Sequence, residues 1–180
     1  MDIAITQWVN SFAGQSPLLD KIIIGITNFG VPFLVVAVVA QWWVGNPRVA
    51  ARQTALKAGL SFLLGLGLAQ IMLLFIHRLR PYDVGISHLL VPPTVDWSFP
   101  SDHAIASLSI VFAYALSGFR RQAILFFILA TLICFSRIFV GMHYASDILG
   151  GAGVALVAAF AVNTFYPRGS KLDQWLVSLF

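Results

Sequence analysis

The sequence contains no glutamate: all seven acidic residues are aspartates, and charged residues fill only 10% of its 180 positions. So little charge, combined with 59% hydrophobic residues and a mean hydropathy of +0.87, excludes an ordinary soluble domain. The single cysteine, Cys134, lies inside an apolar run, which excludes a disulfide framework and a cysteine-ligated metal site. The chain therefore belongs in a lipid bilayer.

Five apolar stretches are long enough to cross a membrane as helices, which takes about 20 residues each. They occupy residues 21–45, 55–77, 102–119, 123–142 and 147–166. The 3–12 segment places apolar side chains among polar ones, which is typical of a short helix lying in the membrane interface. We therefore predict an all-α, polytopic helical membrane protein with a single membrane-embedded domain over 1–180 and an interfacial helix in 1–16.

Basic residues indicate the orientation of this helical array. They cluster in alternate connections, which must share one face of the membrane, and the positive-inside rule makes that face cytoplasmic. These residues are Arg48, Arg52, Lys57, Arg120, Arg121, Arg168 and Lys171. The 167–180 segment is then a cytoplasmic tail, with Trp175, Leu176 and Phe180 on the inner surface, and the 78–100 loop lies on the outer face.

Ionisable residues gather at the outer ends of several predicted helices, although charge at membrane depth is costly and usually functional. Pro100 and Ser101 precede an apolar helix, so this run reads as a helix N-terminus. Such an end offers free N–H groups and a partial positive charge to a phosphate, and Ser101 adds a hydroxyl. His103 would face that anion from the first turn. Taken alone, an ordinary cap beside an interfacial histidine is an equal explanation.

A second run places Arg137 six residues before His143 and Asp147 four residues after it. A carboxylate that accepts a hydrogen bond from one imidazole nitrogen leaves the other nitrogen free as a nucleophile, as phosphoryl transfer to histidine requires. We therefore predict His143 as the nucleophile. The alternative is that Arg137 extends to the interface and the other two residues form a local cap.

The third run, His77-Arg78-Leu79-Arg80-Pro81, ends a helix at the proline and presents guanidinium groups at the outer boundary. Arginine binds phosphate bidentately and stays charged. Interfacial anchoring explains either arginine alone. It does not explain why the same face also carries Arg137, two histidines and a carboxylate.

Taken together, the three runs resemble the ordered motifs of the type 2 phosphatidic acid phosphatase superfamily. The matching residues are Arg80-Pro81, then Pro100-Ser101-Asp102-His103, then Ser136-Arg137 with His143 and Asp147. Many members have glycine at the position of Asp102. With aspartate there, the Pro-Ser-Asp-His motif resembles that of the bacterial undecaprenyl diphosphate phosphatases associated with bacitracin resistance. The resemblance implies a bacterial plasma (inner) membrane enzyme with its active site on the periplasmic or extracellular face.

The resemblance also implies a role for each motif residue. The phosphate ligands would be Arg80, Ser101 and Arg137, and the catalytic residues His143 as nucleophile, Asp147 as its orienting group and His103 as acid and base. A phosphohistidine intermediate follows, and neither a metal nor another cofactor is needed. His103, His143 and Asp147 form no recognisable metal-ligand motif, and the arginines disfavour a divalent cation.

One position departs from the family pattern: a lysine is usual seven residues before the first motif arginine, and here Leu73 occupies that position. Arg78 is the nearest replacement, but it lies about 140° around a helix from position 73. Asp102 would repel a phosphate unless it is paired, and we expect Arg78 or Arg80 to be its partner.

The expected substrate is a lipid diphosphate, with undecaprenyl diphosphate favoured over phosphatidylglycerophosphate, phosphatidate and lipid A. Membrane lipids surround the protein, no nucleic-acid partner is expected, and the sequence leaves the oligomeric state open. A small transporter or channel would instead need charges at mid-helix. A family member that keeps the fold without activity is a third alternative because of Leu73.

Overall fold

The computed structural model describes residues 1–178; Leu179 and Phe180, the latter included in the predicted inner-surface tail, lie outside the described residues. Within 1–178 the chain forms seven α-helices and no β-strand. The helices are α1 Asp2–Asn10, α2 Pro17–Val44, α3 Arg48–Leu73, α4 Asp102–Leu116, α5 Arg120–Phe139, α6 Ala145–Phe165 and α7 Lys171–Ser178. The predicted all-α fold class is confirmed.

Four helices, α2, α3, α5 and α6, are long and apolar enough to cross a membrane. The fifth predicted span, α4, has only 15 residues, which at 1.5 Å per residue gives about 22 Å of helix against a hydrocarbon core of about 30 Å. The helix ends at Leu116, before the predicted residue 119, because Gly118 adopts a φ of +85° and stops it. By its length alone, α4 therefore does not cross the hydrocarbon core.

The short helix α4 is the centre of the packing. It contacts α3, α5 and α6 and has ten of its 15 residues buried, whereas α2 packs on α5 and α3. Gly151 of α6 allows a close approach, because a Cβ there would lie 2.8 Å from Cβ of Ala104 and 2.9 Å from the Ser101 carbonyl oxygen. Small residues at such contacts let membrane helices approach closely.

The outward surface of the array is apolar. Phe29, Phe33 and Val36 of α2 and Phe160 of α6 are more than half exposed. In a water-soluble protein such large contiguous apolar surface would drive association, whereas in a bilayer it meets lipid tails. The exposure pattern agrees with the membrane location expected from composition.

The two short terminal helices pack at opposite ends of the array. α1 has nine residues, about 13 Å of helix, too short to span a bilayer, and it packs on α5 and α6. α7 packs on α3, where Asp173 accepts a hydrogen bond from Gln53 Nε2 at 2.7 Å. Trp175 of α7 is exposed, as expected for a side chain that meets the membrane surface.

Candidate active site

Four chain segments converge on one pocket at the α1 end of the array. They are the end of α3 with the loop that follows it, the N-terminus of α4, the last turn of α5, and the turn between α5 and α6. The pocket has a volume of about 140 Å³. Its lining residues are Leu73, Arg80, Thr94, Asp96, Trp97, Pro100, Asp102, His103, Arg137, Met142 and His143.

Five of the eight predicted site residues thus share this pocket: Arg80, Asp102, His103, Arg137 and His143. Ser101, Asp147 and Arg78 are the other three, and none of them lines it. The volume is well below the roughly 300–1,000 Å³ of typical pockets for drug-sized ligands. The space therefore accepts a head group and not a whole lipid.

His143 is buried and held in one tautomer. Its Nδ1 atom lies 2.8 Å from the backbone carbonyl oxygen of Ser98. A carbonyl oxygen only accepts hydrogen bonds, so Nδ1 carries the proton and the neutral ring keeps a lone pair on Nε2. Burial lowers the pKa of His143 to about 4, against an ordinary value of 6.5. The ring is therefore neutral at neutral pH.

Asp147 is fully buried in the first turn of α6 and acts on His143 mainly through its neighbours. Its Oδ2 atom accepts hydrogen bonds from Ser98 Oγ at 2.6 Å and from the Tyr144 backbone N–H at 2.8 Å. The same oxygen is 3.6 Å from His143 Nδ1, beyond ordinary hydrogen-bond length. The sequence predicted a direct bond from Asp147 to the imidazole; in the structure the two groups are adjacent, and Ser98 contacts both of them, Asp147 through its hydroxyl and His143 through its carbonyl oxygen.

Arg80 is almost fully buried and its guanidinium is fixed by the backbone around the pocket. It donates to the carbonyl oxygens of Asp96 at 3.1 Å, Trp97 at 3.3 Å and Met142 at 2.9 Å. It also pairs with the Asp96 carboxylate at 3.0 Å, and one terminal nitrogen lies 3.2 Å from His143 Nε2. That last contact places a permanent cation beside the unprotonated nitrogen.

Arg137 is 6% exposed, and its Nε atom is buried without a hydrogen-bond partner. Across residues 1–178 no carboxylate lies within ion-pair distance of its guanidinium. A buried charge without a counter-ion is strongly unfavourable, so it marks a place where an anion is expected. Arg80 is already paired with Asp96, so Arg137 is the pocket guanidinium that an anion would neutralise.

The N-terminus of α4 forms another wall of the pocket. Ser101 is the N-cap residue but makes no side-chain cap bond, and its Oγ atom is buried without a hydrogen-bond partner. His103, in the first turn, lines the pocket together with His143. The free N–H groups and partial positive charge of this helix end reinforce the preference for an anion.

The predicted partner of Asp102 is wrong. Arg80 pairs with Asp96, Arg78 pairs with Asp2 and Asp147, and within the described chain no ion pair includes Asp102. The reason is geometric: the loop before α4 returns to Arg80 at Asp96, six residues before the helix begins. Asp102 therefore faces the pocket beside Asp96 as a second carboxylate.

Arg78 does not occupy the place of the family lysine. Its guanidinium is bonded to Asp147 Oδ1 at 2.7 Å and to Asp2 Oδ2 at 2.6 Å, and it lies over the Tyr144 ring at 3.7 Å from the centroid. Leu73 does lie in that place: it is the last residue of α3 and lines the pocket, half-buried. Arg78 instead supports Asp147 from the side away from the pocket.

Sequence reasoning missed Ser98, Asp96 and Asp2. Ser98 acts partly through its backbone carbonyl, which no residue pattern can indicate. Asp96 could have been predicted, because it is an acidic residue in the same loop as Arg78 and Arg80 and could pair with either of them. Asp2 lies 145 residues from Asp147 in sequence, and only the folded chain brings their shared partner Arg78 between them.

The donor set of the pocket suits an anion and not a metal. Among residues 1–178 no group of three or more histidine, cysteine, aspartate or glutamate side chains is placed to hold a metal ion. Two arginines and a helix N-terminus line the space together with the carboxylates of Asp96, which is paired with Arg80, and Asp102, and the lone pair of His143 Nε2 lies at its edge. Such a site can bind a tetrahedral oxyanion and present a nitrogen nucleophile to it.

Known proteins share sequence similarity with most of this chain. The sequence profile of the PAP2 superfamily matches residues 54–171. The chain is 32% identical over 165 residues to the undecaprenyl-diphosphatase BcrC of Bacillus subtilis, covering 92% of this chain and 84% of that protein. It is 29% identical over 174 residues to phosphatidylglycerophosphatase B of the same species, covering 89% and 81%.

Two solved structures share the fold. The Aquifex aeolicus LpxE structure superposes with a TM-score of 0.74 at 19% identity, covering 91% of this chain and 95% of that chain. A PAP2-type phosphatidylglycerolphosphate phosphatase from Bacillus subtilis gives a TM-score of 0.66 at 24% identity, covering 94% and 86%. At these identities the likeness concerns the fold alone.

Proposed function

This chain belongs to the PAP2 superfamily and is a membrane lipid phosphatase, and we propose that it removes the terminal phosphate of a polyprenyl diphosphate through a phosphohistidine on His143. Undecaprenyl diphosphate is the favoured substrate, because BcrC of Bacillus subtilis, at 32% identity, carries the name undecaprenyl-diphosphatase. The observation that carries the proposal is the unpaired, buried Arg137 in the same pocket as His143 Nε2.

Binding of the terminal phosphate is the first step. Arg80 and Arg137 neutralise its charge, and the N–H groups at the start of α4, with Ser101 Oγ, bind its remaining oxygens. Arg80 then exchanges its contact with His143 Nε2 for a contact with phosphate. The second phosphate and the isoprenoid stay outside, since the pocket is only about 140 Å³.

Attack on phosphorus follows from the tautomer of His143. Nε2 donates its lone pair to phosphorus, a P–N bond forms, and the P–O bond to the leaving lipid phosphate breaks. His103, in its protonated form, gives a proton to the leaving oxygen, and the negative charge of the bound diphosphate favours that protonated form. Nδ1–H stays bonded to the Ser98 carbonyl oxygen, which stabilises the positive charge that develops on the ring.

Hydrolysis of the intermediate reverses the role of His103. Now unprotonated, it takes a proton from a water molecule whose oxygen attacks phosphorus, the P–N bond breaks, and inorganic phosphate leaves. His143 returns to its neutral form with the lone pair on Nε2. Charge on the transferring phosphoryl group is balanced throughout by the arginines and by helix N–H groups, so the proposed mechanism needs no metal.

The proposed placement puts the pocket at the periplasmic or extracellular face of a bacterial plasma membrane. Support comes from the opposite end of the array, where the basic connections and α7 lie. We also propose that residues 1–180 form one domain, with α1 in the outer interface and 167–180 as the cytoplasmic tail. Lipid diphosphate and surrounding membrane lipids are then the partners, and the oligomeric state stays open.

Phosphate release by the purified protein tests the proposal. Undecaprenyl diphosphate, phosphatidylglycerophosphate and phosphatidate are compared as substrates in the presence of EDTA, with wild type, His143→Ala and the control His88→Ala. We expect the fastest release from undecaprenyl diphosphate, no measurable release by His143→Ala, and wild-type rates for His88→Ala, whose side chain is exposed outside the pocket.

Three outcomes would each contradict one part of this proposal. Faster release from phosphatidylglycerophosphate or phosphatidate would contradict the proposed substrate. Undiminished phosphate release by His143→Ala would contradict the assignment of His143 as the nucleophile. Loss of activity in EDTA with recovery in magnesium would contradict the metal-free mechanism. Brief reaction with terminally radiolabelled substrate, quenched in alkali, is expected to label wild-type protein and leave His143→Ala unlabelled.

A further inference from the structure

The N-terminal helix α1 has an unusual distribution of polar and apolar residues. Its outward face is apolar and exposed, with Ile3, Ile5 and Trp8. Its inward face carries Asp2, Thr6 and Asn10, spaced four residues apart so that they form one line along the helix. We call these three residues the α1 polar stripe. All three contact the part of the chain that carries His143.

One end of the stripe binds the start of α6. Asp2 Oδ1 accepts a hydrogen bond from the Ser146 backbone N–H at 2.9 Å, and Asp2 Oδ2 accepts from Ser146 Oγ at 2.6 Å. Thr6 Oγ1 accepts from the Ala145 backbone N–H at 3.2 Å and donates to the Asp2 carbonyl oxygen at 3.0 Å. Side chains of α1 thus satisfy two of the free N–H groups at the N-terminus of α6.

The other end of the stripe binds the end of α5. Asn10 Nδ2 donates to the Phe139 carbonyl oxygen at 2.7 Å and to the His88 carbonyl oxygen at 2.9 Å. Asn10 Oδ1 accepts from the His88 backbone N–H at 2.7 Å. The stripe therefore binds the 139–146 segment at both of its ends, and His143 lies between the two attachments.

Asp2 is also linked to Asp147, the residue proposed to orient His143, through Arg78. Arg78 lies between the two aspartates, with one terminal nitrogen 2.6 Å from Asp2 Oδ2 and the other 2.7 Å from Asp147 Oδ1. Partial burial alone would raise the pKa of Asp2, but hydrogen bonds from Ser146 and Arg78 hold that pKa below its ordinary value. An ionised Asp2 fixes Arg78 against Asp147 Oδ1, which leaves Asp147 Oδ2 for Ser98 and Tyr144.

We infer that Asp2, Thr6 and Asn10 are positioning residues for phosphoryl transfer, and that α1 holds the 139–146 segment so that His143 Nε2 faces the bound phosphate. This inference rests on the proposed function of His143. None of the three side chains lines the pocket, so they act on the rate of the chemical step and not on head-group binding. Small displacements of a reacting group lower rates steeply, about 100-fold for 1 Å.

Steady-state kinetics of matched variants test the inference. We expect Asp2→Asn and Thr6→Val, which keep side-chain size, to lower kcat by about 10-fold or more with KM within twofold of wild type. Asp20→Asn is the control: its carboxylate accepts a hydrogen bond from the Gly14 N–H between α1 and α2 and does not contact Arg78. That variant is expected to retain wild-type kcat, and unchanged kcat in Asp2→Asn would overturn the inference.

A double-mutant cycle separates positioning through Arg78 from general loss of structure. If Asp2 acts through Arg78, the kcat losses of Asp2→Asn and Arg78→Gln are strongly non-additive, and the double variant resembles Arg78→Gln alone. Additive losses would contradict that route. The thermal midpoints of the variants in detergent are measured in parallel, so that only folded protein enters the comparison.

Hydrogen exchange gives a readout that does not depend on activity. The amides of Ala145 and Ser146 are hydrogen-bonded by Thr6 and Asp2, so we expect their exchange to be faster in Thr6→Val and Asp2→Asn and unchanged in Asp20→Asn. Failure of the proposed function would appear as wild type without phosphatase activity. Failure of this inference would appear as active wild type with variants that match it in both kcat and exchange.

Discussion

The Nδ1 atom of His143 lies 2.8 Å from the backbone carbonyl oxygen of Ser98, closer than the 3.6 Å that separates it from the nearest oxygen of Asp147. The carbonyl therefore fixes the tautomer, and the carboxylate fixes Ser98 through its hydroxyl at 2.6 Å. This division of roles distinguishes the site from a triad in which a carboxylate alone orients the imidazole.

Asp147→Asn is expected to lower kcat by about 10- to 100-fold, by analogy with carboxylates that orient metal-ligating histidines. The loss stays below the roughly 10⁴-fold seen where a carboxylate alone sets the tautomer, because the Ser98 carbonyl remains in place. Ser98→Ala, which keeps that carbonyl, is expected to lose less than Asp147→Asn. Steady-state phosphate release measures both variants, and a 10⁴-fold loss in Asp147→Asn would contradict the role given to Ser98.

Arg137→Met is expected to make the protein more stable and nearly inactive. Replacing a buried, unpaired guanidinium with an apolar side chain removes a desolvated charge, which we expect to raise the free energy of unfolding by about 1–3 kcal/mol. Inorganic phosphate is expected to raise the thermal midpoint of wild type and leave that of the variant unchanged. Arg120→Met, an exposed arginine on the same helix, is the control with little change; a destabilised Arg137→Met would show that the charge is compensated.

Leu73→Lys is expected to strengthen phosphate binding. Leu73 lines the pocket at the family lysine position, so a lysine there places an ammonium group beside the anion. One additional charge-assisted hydrogen bond, about 1.5 kcal/mol, corresponds to about a tenfold lower inhibition constant for inorganic phosphate. Leu73→Met controls for the change of shape. Equal inhibition of all three proteins would place the side chain outside reach of the anion.

Lowering the pH is expected to destabilise wild type more than His143→Gln. The pKa of His143 is lowered to about 4 in the folded protein, so the unfolded chain binds this proton first, with an ordinary pKa of 6.5. The stability that the neutral ring contributes is complete above pH 6.5 and is lost as the pH falls towards 4. Thermal midpoints in detergent between pH 7 and 4 measure it, and parallel curves for the two proteins would contradict a neutral, buried His143.

Gly151→Ala is expected to lower stability, whereas Gly153→Ala, two residues further along the same helix, is not. A Cβ at Gly151 would meet Ala104 and the Ser101 carbonyl oxygen within 3 Å, and no atom lies within 4 Å of a Cβ at Gly153. We expect a loss of about 1–3 kcal/mol for the first from overpacking and a small gain for the second from helix propensity. Denaturant titrations in mild detergent compare them; equal stability would mean that α4 and α6 separate without cost.

The sequence identified the helical segments and five pocket residues because both depend on local patterns. Apolar runs of sufficient length indicate spans, and the fixed spacing of Arg137 and His143 places both near one helix end. A Cβ at Gly150 would meet the Phe99 ring and one at Gly151 would meet Ala104, whereas one at Gly153 would meet nothing within 4 Å. Helix periodicity could not tell these faces apart because α6 is apolar nearly all round.

The rest of the site depends on loop conformation, which leaves no periodic signal. The loop before α4 brings Asp96 to Arg80 and the Ser98 carbonyl to His143, and neither contact follows from residue type. The expectation that Arg78 or Arg80 would pair with Asp102 failed for this reason. The sequence predicted α1 only as an interfacial helix, because the partners of its polar stripe lie more than 70 residues away in the chain.

The unpaired charge of Arg137 also bears on the speed of recognition. Its water shell is removed once, when the chain folds, and not again each time a lipid arrives. An incoming phosphate therefore meets a guanidinium that needs no reorganisation of solvent or of neighbouring side chains. The same desolvation of Arg137 that disfavours folding thus prepares the pocket for an anion before the anion arrives.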